Sequence, residues 1–297
     1  MWANSAWDGI AARASGDSGV SGAERVRTRV RKRNRLYLLS AWGALTTRRW
    51  FERVENVCLF IGYPKSGHTL VGSLLDAHPN AIIADEVNVL QYIQAGFARN
   101  QVFYLMLRGS RAAARAGRER TGYFYGVPGQ WQGRFTELRL IGDKMGAATA
   151  LRLAAFPALF DKLATLRAGT KFIHVVRNPY DVLSTMALRA GTPLEQSFDR
   201  FFSHAEAVAK VKVSARQLTV FDLKHEDFVA DPKSKLEDLC RYLGLEITDD
   251  YLEDCSRMVY KSPHQSRFKA PWTPALIEQA RERIDRFPFL RGYAFED

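Results

Sequence analysis

The stretch VCLFIGYPKSGHTLVGSLLDAHP, residues 57–79, decides the fold. VCLFIG is apolar at successive positions, the pattern of a strand covered on both faces. Residues 69–77 then carry apolar side chains at helical spacing. A buried strand that runs through a glycine-containing turn into a helix aims backbone N–H groups and the positive helix end at an anion, commonly a phosphate. The alternative is an ordinary glycine turn that binds nothing.

Outward from this unit the alternation continues. Runs at 81–84 (AIIA), 138–143 (LRLIGD), 172–177 (FIHVVR) and 218–223 (LTVFDL) read as further strands, and 69–77, 87–98, 147–164, 179–189 and 194–213 as helices. Apolar strands alternating with helices predict an α/β fold, three layers α/β/α around a mainly parallel sheet of the P-loop nucleotide-binding type. We expect one such domain over residues 54–297, with an insertion at about 97–138, preceded by a basic, partly flexible arm over 1–53.

Set against the phosphate-loop pattern G-x-x-x-x-G-K-[ST], residues 62–69 fit except that His68 stands where the lysine belongs. The lysine is Lys65, on the turn itself. In a nucleoside triphosphatase the lysine reaches the terminal phosphates while the next hydroxyl holds magnesium, so this displacement argues against ATP hydrolysis. A lysine on the turn instead suits a shorter donor, over the bridging oxygen where charge grows as a sulfuryl group leaves. Ser66, Gly67, His68 and Thr69 then grip a 5′-phosphate through N–H groups and hydroxyls, although His68 also reads as a loop filler.

A second anion site lies at Arg177, at the carboxyl end of FIHVV, followed by Asn178, Pro179 and a helix with Ser184 and Thr185. The arginine and a hydroxyl two helical turns on can share one phosphate. Alternatively Arg177 pairs with Asp181 and the Asn-Pro turn merely caps the helix.

Together the two segments resemble the PAPS-dependent sulfotransferase superfamily, PAPS being 3′-phosphoadenosine 5′-phosphosulfate. Pro64, Lys65, Ser66, Gly67 and Thr69 match its 5′-phosphosulfate loop, and Arg177, Asn178, Pro179 and Asp181 its 3′-phosphate element; His68 departs from the usual Thr. The resemblance extends over about 57–272. It implies transfer of the sulfuryl group of PAPS to a hydroxyl or amine, with adenosine 3′,5′-bisphosphate as product and no metal. Leu70, where cytosolic aryl sulfotransferases carry Trp, falls within the donor-binding run. HPNAIIADEVNVL is similar to the tyrosylprotein and heparan branches, which puts Glu86 in the place of the catalytic base. A helix N-terminal carboxylate is the other reading of Glu86, and Asp85 is its neighbouring rival. GDKMG implies a second catalytic lysine, Lys144. LKHEDF puts His225 where the family's tyrosine contacts adenine, or in a plain surface turn. HQSRFKAPW implies that Arg267 and Lys269 reach the 3′-phosphate.

The insertion carries Arg108, Arg111, Arg115, Arg118 and Arg120, then Tyr123, Tyr125 and Trp131. Beside the chemistry, such a segment either recognises the acceptor or forms an exposed basic helix and a packed aromatic loop.

In bulk, 297 residues that are 46% hydrophobic and 25% charged belong to a globular chain, and a net charge of +11 favours anionic partners. Cys58, Cys240 and Cys255 lack metal-ligand spacing and suggest no disulfide framework. The longest early apolar run, residues 36–45, is ten residues against the roughly twenty a bilayer span needs. A long charged lead and no cleavage site argue against a signal peptide, so a cytoplasmic location is expected. Residues 1–23 read as a loose arm. Seven of the eleven residues 25–35 are Lys or Arg, either a solvated tail or an anchor to an anionic surface. No nucleic-acid partner is expected. The rival readings are a P-loop nucleotide or small-molecule kinase and a non-enzymatic anion-binding protein.

Overall fold

The computed structural model describes residues 22–120, 122–166, 168–214 and 219–297, with side chains from Arg33 onward. Most of the expected loose segment 1–23, the side chains of residues 25–32, and Leu218 lie outside the described residues.

In chain order the elements are α1 (Gly22–Thr46), β1 (Asn56–Ile61), α2 (His68–Asp76), β2 (Ala81–Ala84), α3 (Leu90–Gln94), α4 (Arg99–Arg115), β3 (Glu119–Arg120), β4 (Tyr123–Phe124) and β5 (Leu140–Asp143). Then come α5 (Gly146–Ala155), α6 (Leu159–Ala164), β6 (Gly169–Val176), α7 (Pro179–Ala190), α8 (Glu195–Ser214), β7 (Thr219–Lys224), α9 (His225–Ala230), α10 (Pro232–Leu243), α11 (Asp249–Ser256) and α12 (Pro274–Ile284). Five strands form one sheet in the order β2-β5-β1-β6-β7, and every pairing in it is parallel. The expected α/β/α architecture is therefore observed.

Alternation along the strands builds both outer layers. On β1, Val57, Leu59 and Ile61 enter the cluster that holds α4, α5 and α8, while Cys58 and Phe60 enter the one beneath α2, α10 and α11. All three cysteines are buried free thiols, and burial pushes the Cys58 thiol far above its usual range.

The chain leaves β1 for β2 on one side of the sheet and leaves β6 for β7 on the other. Since β1 and β6 are neighbours, their carboxyl ends open a crevice at the topological switch point, where open α/β sheets bind ligands.

The insertion is tied down by a buried carboxylate. Asp76, at the end of α2, accepts from the N–H of Ile83 (2.6 Å), the hydroxyl of Ser110 (2.7 Å) and the N–H of Gly133 (3.1 Å), and pairs with Arg118. Burial raises its pKa to about 6 despite those partners. Arg118 is thus held by a buried carboxylate and does not stand free on the surface.

Several expectations need correction. The arm expected over 1–53 is helical from Gly22 to Thr46, and its second half packs on α4. The Nε2 of Gln101 donates to the carbonyl of Tyr37 and to Ser40 (both 3.2 Å), and Gly43 lies against the Tyr104 ring, where any side chain would collide. The helix expected over 147–164 breaks at Phe156–Pro157, because Pro157 lacks an N–H and pushes the preceding residue out of helical geometry. The helix expected over 87–98 shrinks to α3, since Glu86 and Asn88 adopt positive φ (both 59°) and Gly96 (φ 84°) ends it. Strand bounds move by at most three residues. Among the described residues no helix is long and apolar enough to cross a membrane.

Removing the carboxylate strands a buried guanidinium. Asp76→Ala should lower the unfolding free energy by about 3–5 kcal/mol, the usual effect of breaking a buried ion pair, in urea titrations followed by circular dichroism. A loss below about 1 kcal/mol would mean that the insertion is held by other contacts.

Candidate active site

The turn after β1 lies at the switch point. Lys65 (φ 69°) and Gly67 (φ 104°) are both left-handed, strain that in Lys65 only surrounding structure can sustain. Gly67 is obligatory: a Cβ there would sit 2.7 Å from Nδ1 of His225. Among the described residues, the N–H groups of Lys65, Ser66, Gly67, His68 and Thr69 meet no acceptor within the protein. Five unpaired donors around the start of α2 make an anion nest. Leu70, also expected here, is buried, and its N–H bonds the Gly67 carbonyl at 3.1 Å.

Two side chains of the turn face inward. Ser66 Oγ donates to the carbonyl of Tyr63 at 3.1 Å. The His68 ring is wedged between Gly62 and Gly146, where a methyl group on either glycine would come within 2.7 Å and 2.6 Å of it. Its nitrogens lie 3.1 Å from Ser66 Oγ and 3.2 Å from the Ile61 carbonyl. Burial depresses its pKa to about 3, so the ring is neutral. With its ring turned into the core, His68 presents only its backbone N–H to the turn, as the loop-filler reading has it.

Lys144 joins three segments. Its side chain is 4% exposed, and its ammonium lies 3.1 Å from Thr69 Oγ1, 2.7 Å from Asp85 Oδ1 and 3.1 Å from Glu86 Oε1. Arg120, from β3, closes the other side, 2.7 Å from Glu86 Oε2 and in contact with Asp85. Asp143, the residue before Lys144, accepts from the N–H groups of Val87 (3.0 Å) and Val89 (2.9 Å), pinning the left-handed turn that presents Glu86. That carboxyl is fully buried, which raises its pKa to about 7. Gly72 lets the lysine stem cross α2, since a Cβ there would meet Lys144 Cγ at 2.8 Å. Lys65 is exposed; partial desolvation and the nearby Arg189 lower its pKa, and Glu86 opposes them. Lys65 thus lies in the field of this cluster.

Across the crevice, Arg177 donates to the carbonyls of Lys65 (3.1 Å) and His264, bridging the first turn to the C-terminal segment. Its Nε is buried without a partner, as is Nδ1 of His225. Burial, with Arg177 and His264 nearby, lowers the His225 pKa to about 3. Asp181 pairs with Arg267 at 2.6 Å and not with Arg177. Arg267, 2% exposed, is therefore largely committed to the protein. Ser184 is buried between the Tyr180 carbonyl (2.7 Å) and Trp272 Nε1 (2.8 Å), whereas Thr185 is half-buried and reaches Ser266 Oγ at 3.0 Å. Lys269 is exposed and, among the described residues, holds no ion pair.

Beside the Lys144 cluster is a pocket of about 120 Å³. Gly72, Ile83, Ala113, Ala116 and Tyr125 supply its mostly apolar wall, and Thr69, Asp85, Arg120 and Lys144 its polar end. Above, Tyr123 meets Tyr260 (5.8 Å between centroids) and His264 (6.2 Å), so the β3–β4 ribbon and the C-terminal segment cover the crevice together.

The sequence reading missed Asp143, Gly72 and the particular task of Arg120. Only the GDK run hinted at the first; the other two depend on contacts distant along the chain.

A family model described as the sulfotransferase family matches residues 59–250. No curated protein matches the chain. Among solved structures, sulfotransferase STF1 of Mycobacterium tuberculosis is similar at 13% identity, covering 90% of this chain and 87% of that one with a TM-score of 0.48. The sulfotransferase domain of the Synechococcus olefin synthase is similar at 18% identity (77% and 88% covered, TM-score 0.44). Mouse sulfotransferase SULT7A1, complexed with PAP, is similar at 14% identity (74% and 69% covered, TM-score 0.36).

The inward setting of His68 has a measurable consequence. His68→Ala should cost about 2–4 kcal/mol of stability in denaturant titration, from the cavity and lost hydrogen bonds. A ring turned toward a bound anion would instead leave the stability of the free protein almost unchanged.

Proposed function

This chain belongs to the sulfotransferase family, and we propose that it transfers the sulfuryl group of PAPS to a hydroxyl or amine, using Glu86 as base in the manner of the tyrosylprotein and heparan branches. The observation that carries this reading is the pair of anion sites at one switch point: five unpaired N–H groups on the Lys65–Thr69 turn and, hydrogen-bonded to that turn, Arg177. Two such sites suit a nucleotide with phosphates at both ends of its ribose.

The amides of residues 65–69 and the Thr69 hydroxyl hold the 5′-phosphate in this reading. Arg177 and Thr185 hold the 3′-phosphate. Ser184 drops out, because its hydroxyl serves Tyr180 and Trp272. The unpartnered Nδ1 of His225 beside Gly67 suits an adenine contact. Arg267 supports the site indirectly by fixing Asp181 beneath Arg177. Lys269 is left as a candidate for the closed, liganded form.

The donor supplies the sulfuryl group. As the acceptor oxygen bonds to sulfur, its proton passes to Glu86, the bond from sulfur to the bridging oxygen breaks, and adenosine 3′,5′-bisphosphate leaves. Lys65 and Lys144 neutralise charge on the leaving and sulfuryl oxygens. The apolar-walled pocket receives the acceptor and directs its nucleophile to the Lys144 end, where orientation lowers the barrier. Glu86 is favoured over Asp85 because its side chain is more open, 42% against 22% exposed. His68 and His174 are buried in the core, away from the acceptor pocket, and are not the base in this reading.

The direct test is incubation with sulfur-labelled PAPS and a panel of phenols, sugars, lipids and peptides, read by mass spectrometry. Glu86→Gln should cut turnover at least about 100-fold while leaving affinity for adenosine 3′,5′-bisphosphate unchanged. Should that variant stay active and Asp85→Asn fail, the base is Asp85. Lys65→Ala should reduce kcat by two to three orders of magnitude, roughly the effect of losing one transition-state donor. Unchanged kinetics would remove Lys65 from the chemistry.

A further inference from the structure

Large apolar side chains on the surface are concentrated in one segment. Of the nine that are exposed among the described residues, Tyr37, Leu38, Trp42, Leu45 and Trp50 fall within fourteen positions on or just after α1. Leu38, Trp42 and Leu45 are 70%, 65% and 77% exposed. Their spacing, i, i+4, i+7, places them on one helix face. The face that packs on α4 carries Leu36, Ser40, Gly43 and Thr47, of which the last three are buried. At 100° per residue the two sets lie on opposite sides of α1. The exposed leucines and tryptophan therefore contribute nothing to the packing that docks the helix.

Charge narrows what can cover them. Between Arg25 and Phe51 there are nine Lys or Arg and no Asp or Glu. Arg33, Arg35, Arg48 and Arg49 are exposed at the two ends of the apolar patch, and among the described residues only Arg48 of the four has an acidic partner, Glu52 at 3.9 Å. A second copy of this face would bring like charges together. Nucleic acid would satisfy the arginines but leave two leucines without a task. An anionic bilayer satisfies both: arginines meet head groups, the tryptophan sits at the polar boundary, and the leucines enter the first acyl carbons.

We propose that the outer face of α1 docks this protein in the plane of an anionic lipid bilayer. Ten apolar-rich residues, 36–45, are too few to span, so the helix lies on the surface with α4 and the catalytic domain on its cytosol-like, aqueous side. The inference stands independently of the donor site, since none of these side chains touches the crevice.

The test uses the full chain and vesicles of phosphatidylcholine, alone or with one third phosphatidylglycerol. It should sediment with the anionic vesicles and be released by high salt. The triple variant Leu38→Ser, Trp42→Ser, Leu45→Ser and the double variant Arg33→Glu, Arg35→Glu should each bind at least about tenfold more weakly. Both should keep the melting temperature and the shift induced by adenosine 3′,5′-bisphosphate, which shows that they fold. In the unmodified chain, bromine-labelled lipids should quench fluorescence that Trp42→Phe removes. The proposal is overturned if the chain ignores anionic vesicles, if the triple variant binds them as well as wild type, or if that variant instead breaks a dimer in light scattering.

Discussion

A buried ammonium group organises this molecule. Lys144, 4% exposed, cannot stay charged inside protein without partners, since an unpaired buried charge costs several kcal/mol. Asp85, Glu86 and Thr69 supply those partners, and to do so the ends of β5 and β2 and the first turn of α2 must converge. Asp143 makes the convergence rigid by holding the amides of Val87 and Val89, directly after Glu86. The same requirement that stabilises the fold thus assembles two carboxylates beside a cation at the mouth of a pocket.

Strand order does the corresponding work for the donor. Because β1 and β6 are adjacent and their connections diverge, the turn at Lys65 and the side chain of Arg177 open onto one crevice. The unpaired amides there are a liability in a free protein and an asset once an anion fills the nest. Asp181 and Arg267 form a buried ion pair under this side, and the half-buried Trp272 holds Ser184, so these polar groups are committed to the protein itself.

Much of this was legible in the sequence because it is local. The strand-turn-helix unit at residues 57–79, the displaced lysine and the Arg-Asn-Pro turn each carry their meaning within a few residues, and the alternating strands fixed a parallel, doubly covered sheet. Side-chain direction was not legible. Whether His68 faces the anion or the core depends on the space between Gly62 and Gly146, which are far apart along the chain. Arg118 and Arg120 look alike in a basic stretch; Asp76 captures one and the Glu86 cluster the other. The basic arm misled for a related reason, since charge hid the small residues at Ser40 and Gly43 that let α1 settle on α4.

In the proposed reaction one nucleotide bridges the Lys65 turn and Arg177. A crystal structure with adenosine 3′,5′-bisphosphate tests it most directly. The 5′-phosphate should lie on the amides of residues 65–69, the 3′-phosphate against Arg177 and Thr185, and the adenine next to His225. Phosphates bound away from both the turn and Arg177, in a protein otherwise unchanged, would contradict it.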